Sequence, residues 1–467
     1  MTKQLWFATF VAALGGLLFG FDTAVINGTT SQLRNVFNLS EANLGLTVAS
    51  ALIGTMFGAF FIGKPTDKYG RKLILIWMAV FYFVSALGSA LAWDWYSFLA
   101  FRFIGGIGVG GASVVSPMYI AEISPAKYRG RLVAIFQFDI VFGILLAFFS
   151  NYLVDSMKLG ADNWRWMFGM ECLPAAAFFI LLFFNKRSPR WLVSMDRLDD
   201  ARAVLDVMGT DTGNVDEEIN EIRKALAEES EFKTEPLFQR KYFRPLWIAA
   251  AIAILGQLSG INVVMYYSGD IFQVAGVDKS NALLQTISLG GINFIVTLLA
   301  IAVIDKLGRR VLMIAGSIGY VISLFAMAAV FYVREGSLGF LSSVLLDADG
   351  ITFTSAGKYL LLGGMLAFVA SHAFGMGAVI WVYLSEIFPN RIRARGQAFG
   401  SFCLWVFCAL VSWVFPVAVK QLSPGAPFLF FAVCMTGLLF WAIFIMIETK
   451  NVPLEEIHNK LGIVSKQ

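Results

Sequence analysis

The sequence predicts an all-α membrane protein with twelve transmembrane helices arranged as two six-helix bundles. Hydrophobic residues make up 58% of the 467 residues and charged residues only 15%, whereas soluble chains average about 25% charged residues. Apolar stretches long enough to cross about 30 Å of hydrocarbon as helices recur twelve times. They run continuously, without the two-residue alternation of a transmembrane β-barrel.

The predicted spans fall into two sets of six. In the first half they lie near residues 5–25, 43–63, 73–92, 97–118, 130–154 and 164–185. In the second half they lie near residues 245–268, 281–304, 311–333, 358–383, 396–419 and 427–447.

A charged segment separates the two sets. Residues 186–244 hold 24 of the 68 Lys, Arg, Asp and Glu residues. Within it Ile219, Ile222 and Leu226 follow helical spacing among acidic residues, which predicts short amphipathic helices beneath the membrane. We therefore expect four regions: an N-terminal bundle, a cytoplasmic linker, a C-terminal bundle and a short cytoplasmic tail. Their predicted bounds are 1–185, 186–244, 245–450 and 451–467.

Loop charge predicts the orientation of the spans. The loops after even-numbered spans carry about twice as many Lys and Arg residues as the opposite loops, leaving the central segment aside. By the positive-inside rule the even-numbered loops, the central segment and both termini are cytoplasmic. The short first outer loop and minimal tail favour a bacterial cytoplasmic membrane.

Several function classes are excluded. The net charge of +4 is too balanced over this length to suggest nucleic-acid binding. All four cysteines lie in apolar runs, and the two histidines, His372 and His458, form no metal-ligand or catalytic motif. No phosphate-binding loop of the Walker type occurs. We therefore expect neither an enzyme nor a cofactor or metal.

The two halves share sequence motifs, which indicates an internal duplication. Asp67-Lys-Tyr-Gly-Arg71 follows the second span and Asp305-Lys-Leu-Gly-Arg309 follows the eighth, at an offset of 238 residues. A second repeated motif pairs a glutamate after an even-numbered span with two nearby arginines, at an offset of 264 residues. Its members are Glu122, Arg129 and Arg131 in the first half and Glu386, Arg393 and Arg395 in the second.

We predict that these acids and arginines form a cytoplasmic gate, because charge-assisted pairing would latch the two halves together. The alternative is simple anchoring of Lys and Arg at the membrane interface. Anchoring does not require the same spacing of acid and arginine in both halves.

Taken together, these motifs give the chain a family likeness. It resembles the sugar porter family of the major facilitator superfamily over nearly its whole length. Besides the two Asp-x-x-Gly-Arg loops, the matching segments are 16–22, 101–106 with Arg102, 257–262, and Trp381 with 385–389. The resemblance implies a central cavity that opens alternately to either side of the membrane, with substrate bound near the midplane.

The polar residues inside the spans suit a neutral sugar. Gln137, Gln257, Asn262 and Asn293 lie at or near span interiors, where an amide is costly without a partner. Amides donate and accept hydrogen bonds, as sugar hydroxyls do. The alternative for each amide is a hydrogen bond between neighbouring helices.

Tryptophan side chains complete the predicted sugar site. Trp381 and Trp405 offer flat faces for the apolar side of a sugar ring. The resemblance implies that these two tryptophans and the four amides contact the sugar, and it adds Phe19 and Tyr266.

The sequence also departs from the family pattern. Gly256 and Leu404 stand where the family usually has sugar-binding amides, so two hydrogen bonds are missing and the preferred ligand is expected to differ from glucose at one or two hydroxyls. His372 is either a replacement donor or a residue bonded to a neighbouring helix. Arg187 replaces a glutamate of the family, and Asp139 is an unusual carboxylate in the fifth span.

Energy coupling is predicted to depend on Asp22. It lies near the outer end of the first span, and Arg102 lies at similar depth in the fourth. Protonation of Asp22 would remove its attraction to Arg102, so a proton would bias two states of the protein. The alternative is a permanent structural ion pair.

We therefore expect a monomeric secondary transporter that imports a monosaccharide by sugar:proton symport, with the sugar, the proton and the lipid bilayer as its partners. An uncoupled sugar facilitator is the alternative, and a transporter-like sugar sensor is a weaker one.

Overall fold

The computed structural model describes residues 2–209, 213–232, 236–334, 345–346, 353–389, 392–450, 452, 457 and 461. Among them are 12 helical segments long and apolar enough to cross a membrane. The predicted fold class is thereby confirmed. Several spans run about a turn beyond the apolar stretch, because a helix satisfies its own backbone groups as it leaves the hydrocarbon.

The helices of the first half form the first six spans and their connections. Their bounds are Lys3–Ala24, Val25–Gly28 (3₁₀), Thr30–Val36, Glu41–Phe61, Gly63–Tyr69, Arg71–Ala90, Trp95–Ile123, Ala126–Ser156, Gly160–Asp162 (3₁₀), Asn163–Gly169 and Cys172–Phe184.

The helices of the second half repeat the six spans. Their bounds are Arg240–Tyr242 (3₁₀), Phe243–Gln257, Ile261–Val274, Lys279–Leu307, Arg309–Arg334, Ser355–Phe374, Met376–Glu386, Arg393–Gln421 and Gly425–Phe444. Two of these spans are interrupted: the seventh between Gln257 and Ile261, and the tenth at Gly375.

The charged central segment contains three helices, Pro189–Ser194, Leu198–Met208 and Val215–Phe232. Ser188 caps the first of them, since its side chain accepts the backbone N–H of Trp191. The apolar face of the last helix packs inward: Ile219 belongs to a buried hydrophobic core, and Ile222 and Leu226 pack against it.

The chain divides into two compact units. The first contains residues up to Thr23, Ser50–Ala147 and Arg165–Pro236. The second contains Ala24–Ala49, Phe148–Trp164 and the residues from Leu237 onward. The second unit therefore joins parts of the first, second, fifth and sixth spans to the second half of the sequence.

Candidate functional site

The interrupted seventh span presents two amides at its break. The helix ends at Gln257 and restarts at Ile261 after Gly260, whose φ of +80° is left-handed. Glycine is required there, because a Cβ would lie 2.4 Å from the Phe431 ring. Ser259 satisfies the freed backbone by donating to Gly256 O at 2.7 Å.

Gln257 and Asn262 lie on either side of this break and contact each other. Asn262 Nδ2 donates to Gln257 Oε1 at 2.6 Å and also approaches Cys408 Sγ at 3.1 Å. Among the described residues, no hydrogen bond is recorded for Gln257 Nε2 or Asn262 Oδ1. The pair therefore offers one donor and one acceptor to a ligand hydroxyl.

The other predicted sugar residues differ in burial. In the second unit Tyr266, Asn293 and Trp405 are buried, whereas Trp381 is 42% exposed on the helix that follows the break at Gly375. The hydroxyl of Tyr266 is a hydrogen-bonding neighbour of the Cys408 thiol, which places Tyr266 beside Asn262.

Two predicted sugar residues, Gln137 and Phe19, lie in the first unit and are partly buried. The structure thus brings Gln257, Asn262 and Tyr266 together, and it places Trp405 on the same helix as Cys408.

An apolar side chain fills the space beside Gly256. A Cβ at Gly256 would lie 3.2 Å from Met376 Cε and 3.3 Å from Met376 Sδ. Met376 is buried at the start of the helix that carries Trp381. Leu404, at the second position where the family has an amide, is buried as well. Met376 and Leu404 therefore place apolar groups at both positions where the family resemblance implies an amide.

His372 contacts a neighbouring helix. Its Nδ1 and the hydroxyl of Tyr320, in the ninth span, hydrogen-bond to each other. This contact agrees with the helix-to-helix alternative for His372.

The first unit buries the predicted charge pair. Arg102 Nη1 lies 2.6 Å from Asp22 Oδ1, and Arg102 Nη2 donates to the Asp22 carbonyl at 2.9 Å. Both side chains are at most 2% exposed, and the guanidinium lies 5.2 Å from the centroid of the Phe168 ring. The predicted contact is present.

A second carboxyl, Glu171 of the sixth span, lies beside this pair and is fully buried. Neither Asp22 Oδ2 nor either Glu171 oxygen receives a hydrogen bond from the described residues. Two buried carboxyls therefore lie near one guanidinium, which pairs with Asp22 alone among the described residues. A proton on either carboxyl would supply the missing donor. Sequence reasoning missed Glu171, although a carboxylate within an apolar span was a usable signal.

Asp139 is a separate buried carboxyl on the fifth span. It is 4% exposed, and its Oδ2 has no hydrogen-bond partner among the described residues.

The duplicated motifs form one ion-pair cluster in each half. In the first, Arg71 Nη2 lies 2.9 Å from Glu122 Oε1, and Ser188 Oγ donates to Glu122 Oε2 at 2.5 Å. Asp67 lies 3.7 Å from the same arginine and is largely exposed.

The second cluster repeats this arrangement. Arg309 Nη2 lies 3.0 Å from Glu386 Oε1, and Thr449 Oγ1 donates to Glu386 Oε2 at 2.6 Å. Asp305 lies 3.0 Å from Arg309 Nη1. Each of these ion pairs joins residues of the same half, so a latch between the halves stays a prediction.

The remaining gate arginines differ in their exposure and in their contacts. Arg129 and Arg131 are exposed and take part in no ion pair recorded between described residues. Arg393 Nε donates to Phe388 O at 3.3 Å. Arg395 is partly buried at the start of the eleventh span.

Within the second unit, segments of the first half contact the second half at the predicted outer side. Asn27 Nδ2 donates to Met265 O at 2.8 Å and to Ser268 Oγ at 2.7 Å. Lys279 Nζ lies 2.8 Å from Asp155 Oδ1. Trp413 Nε1 donates to the carbonyl of residue 42 at 3.0 Å. Segments of the two sequence halves are therefore bonded to each other at the predicted outer side.

Comparison with known proteins confirms the family. The model of the family described as "Sugar (and other) transporter" matches residues 8–461. The chain belongs to this family. It is 39% identical to the D-xylose-proton symporter of Escherichia coli (strain K12), over 98% of this chain and 95% of that protein. It is 36% identical to a glucose transport protein of Synechocystis, over 96% of this chain and 95% of that protein.

A solved structure agrees with the fold. The inward open conformation of the xylose transporter XylE from E. coli superposes with a TM-score of 0.83 at 36% identity, covering 98% of this chain and 99% of that one. The fold is that of major facilitator transporters. This sugar transporter family member is a multi-pass membrane transporter and not an enzyme.

Proposed function

We propose that this transporter imports a monosaccharide together with a proton across a bacterial cytoplasmic membrane, as a monomer with both termini in the cytoplasm. The observation that carries the proposal is the buried group of Asp22, Arg102 and Glu171. It supplies a protonatable site whose residues are separate from the amides that would bind the sugar.

Charge balance explains how a proton would act there. With both carboxyls ionised, Arg102 neutralises only one of them, and an unpaired buried carboxylate is costly. Binding of one proton leaves one neutral carboxyl, one carboxylate and one guanidinium, so the buried group has no net charge. Protonation would therefore favour the conformation that shields this group from water, and loss of the proton would favour the conformation that exposes it.

The sugar is proposed to bind at the break in the seventh span. Gln257 Nε2 would donate to a hydroxyl and Asn262 Oδ1 would accept from one, while Trp381 and Trp405 would cover the ring face. For Asn293, Tyr266, Gln137 and Phe19 the proposal follows from the family resemblance.

Alternating access is proposed to use both membrane faces. The outer bonds of Asn27 and Lys279 would hold the outer side closed and must break for sugar to enter. The inner clusters around Glu122 and Glu386 would close the opposite side. We retain the expected division into bundles at 1–185 and 245–450, with linker and tail at 186–244 and 451–467.

The apolar groups near the site favour a pentose. A hydroxyl placed against Met376 or Leu404 would lose water without gaining a partner, at a cost of about 1–3 kcal/mol. A pentose lacks the hydroxymethyl group that a hexose would have to place somewhere in the site. Since apolar pockets reject an added hydroxyl only about 100-fold, we expect a preference for pentoses and not an absolute exclusion of glucose.

Uptake into proteoliposomes tests the coupling. Wild-type protein should accumulate D-xylose under an inward proton gradient, and Asp22→Asn should lose accumulation while exchange between equal pools continues. Asp139→Asn is the matched control, because it removes another buried carboxyl of the same bundle. Accumulation by Asp22→Asn would reject Asp22 as the coupling residue, and absence of accumulation by the wild type would indicate a facilitator.

Restoring an amide tests the substrate class. Leu404→Asn should tighten D-glucose binding about two- to tenfold, as expected for about 0.5–1.5 kcal/mol from one hydrogen bond. Leu404→Met is the control of similar volume without an amide. Calorimetric titration of both variants with D-xylose and D-glucose measures the affinities. Equal D-glucose affinities of Leu404→Asn and Leu404→Met would show that residue 404 does not face the sugar.

A further inference from the structure

A cavity of about 360 Å³ lies in the first unit, and none of its lining residues belongs to the proposed sugar-binding or proton-binding sites. It lies where the third span begins and the sixth ends, against the central helices Pro189–Ser194 and Leu198–Met208. Four cationic side chains line it, Lys72, Lys186, Arg187 and Arg197, against a single acid, Asp200.

Most of this positive charge has no carboxylate partner. Arg197 Nη2 pairs with Asp200 at 2.6 Å. Lys72 Nζ instead donates to two carbonyls, those of Phe183 at 2.9 Å and Asn185 at 2.6 Å.

The two adjacent cations are exposed. Arg187 lies 5.2 Å from the Trp191 ring centroid, which fixes its guanidinium by a cation–π contact. Lys186 and Arg187 form no ion pair recorded among the described residues. The cavity therefore has a net positive charge and donors available for an anion.

Apolar side chains adjoin this charge. Phe183 and Phe184 end the sixth span and are 56% and 64% exposed. They lie at the level where the hydrocarbon ends and the charged segment begins. A ligand that joins an anionic group to acyl chains would contact both parts.

We propose that this cavity binds the phosphate group of an anionic phospholipid in the leaflet that faces the central segment. Lys186 and Arg187 donate to the phosphate oxygens, Lys72 and Arg197 add positive potential, and the acyl chains lie along Phe183 and Phe184. Assignment to the cytoplasmic leaflet rests on the orientation in the proposed function, whereas binding itself does not.

The test uses the full-length transporter in detergent, so that neither orientation nor transport affects the result. Phosphatidylglycerol should raise the unfolding temperature more than phosphatidylethanolamine does, and native mass spectrometry should show one retained molecule. Arg187→Glu should weaken phosphatidylglycerol binding about tenfold, as expected for loss of one charge-assisted bond. Lys224→Glu is the matched control, because it makes the same charge change on an exposed central helix away from the cavity.

Two results would overturn the proposal. Equal phosphatidylglycerol binding by the wild type and Arg187→Glu would exclude the cavity as the site, and Arg187→Gln gives the same comparison if the glutamate variant does not fold. Equal stabilisation by glycerol 3-phosphate at the same concentration would assign the cavity to a soluble phosphate and not to a lipid. Two results support the lipid site. The wild type should lose phosphatidylglycerol binding as the salt concentration rises, and the control Lys224→Glu should bind phosphatidylglycerol as the wild type does.

Discussion

The ion-pair clusters of the two halves have the same plan and differ in charge at one position. In both, an arginine pairs with a glutamate that also accepts a hydroxyl, from Ser188 in the first half and Thr449 in the second. In both halves the basic residue that follows this arginine in the sequence donates to backbone carbonyls at the end of the last span of that half. Lys72 does so to Phe183 and Asn185, and Arg310 to Ala442 and Ile443.

The difference concerns the residue before the hydroxyl donor. In the second half it is Glu448, which accepts the backbone N–H groups of Arg309 at 3.0 Å and Arg310 at 3.1 Å. In the first half it is Arg187, which stacks on Trp191 instead. The helix that begins at Arg309 therefore has a carboxylate at its N-terminus, which the helix dipole favours. The helix that begins at Arg71 has extra positive charge there, which the dipole disfavours.

The span interiors differ in a second way. The first half buries ionisable groups, Asp22, Arg102 and Glu171, whereas the polar groups around the break in the second half are the neutral amides Gln257 and Asn262. Buried charges respond strongly to a proton, and amides exchange hydrogen bonds with a neutral ligand. The comparison predicts that proton coupling depends on the first half and that the amide pair at the break in the second half contributes to sugar binding.

The largest expected effect separates these tasks. Gln257→Ala should weaken sugar binding at least tenfold, because it removes a ligand donor and leaves Asn262 Nδ2 without its amide partner, at about 1–3 kcal/mol. Asp22→Asn should change sugar affinity much less while abolishing accumulation. Ligand-induced thermal stabilisation measured on both variants checks the separation, and a similar loss of sugar binding in both would show that the halves do not divide the tasks.

The next effect concerns the two clusters. Glu448→Arg should destabilise the protein by at least about 1–3 kcal/mol, because four backbone N–H groups lose their acceptor, those of Arg309, Arg310, Thr449 and Lys450. Arg187→Glu should be neutral or stabilising, since it places a carboxylate at the corresponding helix N-terminus. Thermal unfolding in detergent without added lipid compares them, and equal destabilisation by both changes would contradict the proposed equivalence of the clusters.

The smallest effect concerns two helix N-caps on the predicted outer side, Asp94 of the fourth span and Asp278 of the eighth. Hydrogen bonds from Ser97 and from Asn281 lower the pKa of these carboxyls below the usual 3.8. A lowered pKa in the folded state stabilises the protein above that usual value, and the contribution is lost as pH falls through the lowered pKa. The double variant Asp94→Asn/Asp278→Asn keeps a capping side chain but does not titrate, so its unfolding temperature should fall less steeply in acid. An unchanged slope would show that other groups set the acid stability.

The sequence predicted the twelve spans because hydropathy is a local property of the chain. It also predicted the contact of Asp22 with Arg102, since both lie at one depth in their spans. Glu171 is recognisable in the sequence as a carboxylate within an apolar span. Its position beside Asp22, however, depends on how the sixth span is rotated. The breaks at Gly260 and Gly375 were missed, because glycine is common in membrane helices and marks a break only where packing demands one.

The sequence by itself determined the number of spans, the duplication of the acid-and-arginine motifs, the family and the absence of amides at Gly256 and Leu404. Only the tertiary structure decided that Met376 fills the space at Gly256 and that Arg187 lines a basic cavity with Lys72. These contacts join spans far apart in the chain. They depend on how each helix is rotated and where it is interrupted, and the local pattern of apolar residues does not encode either.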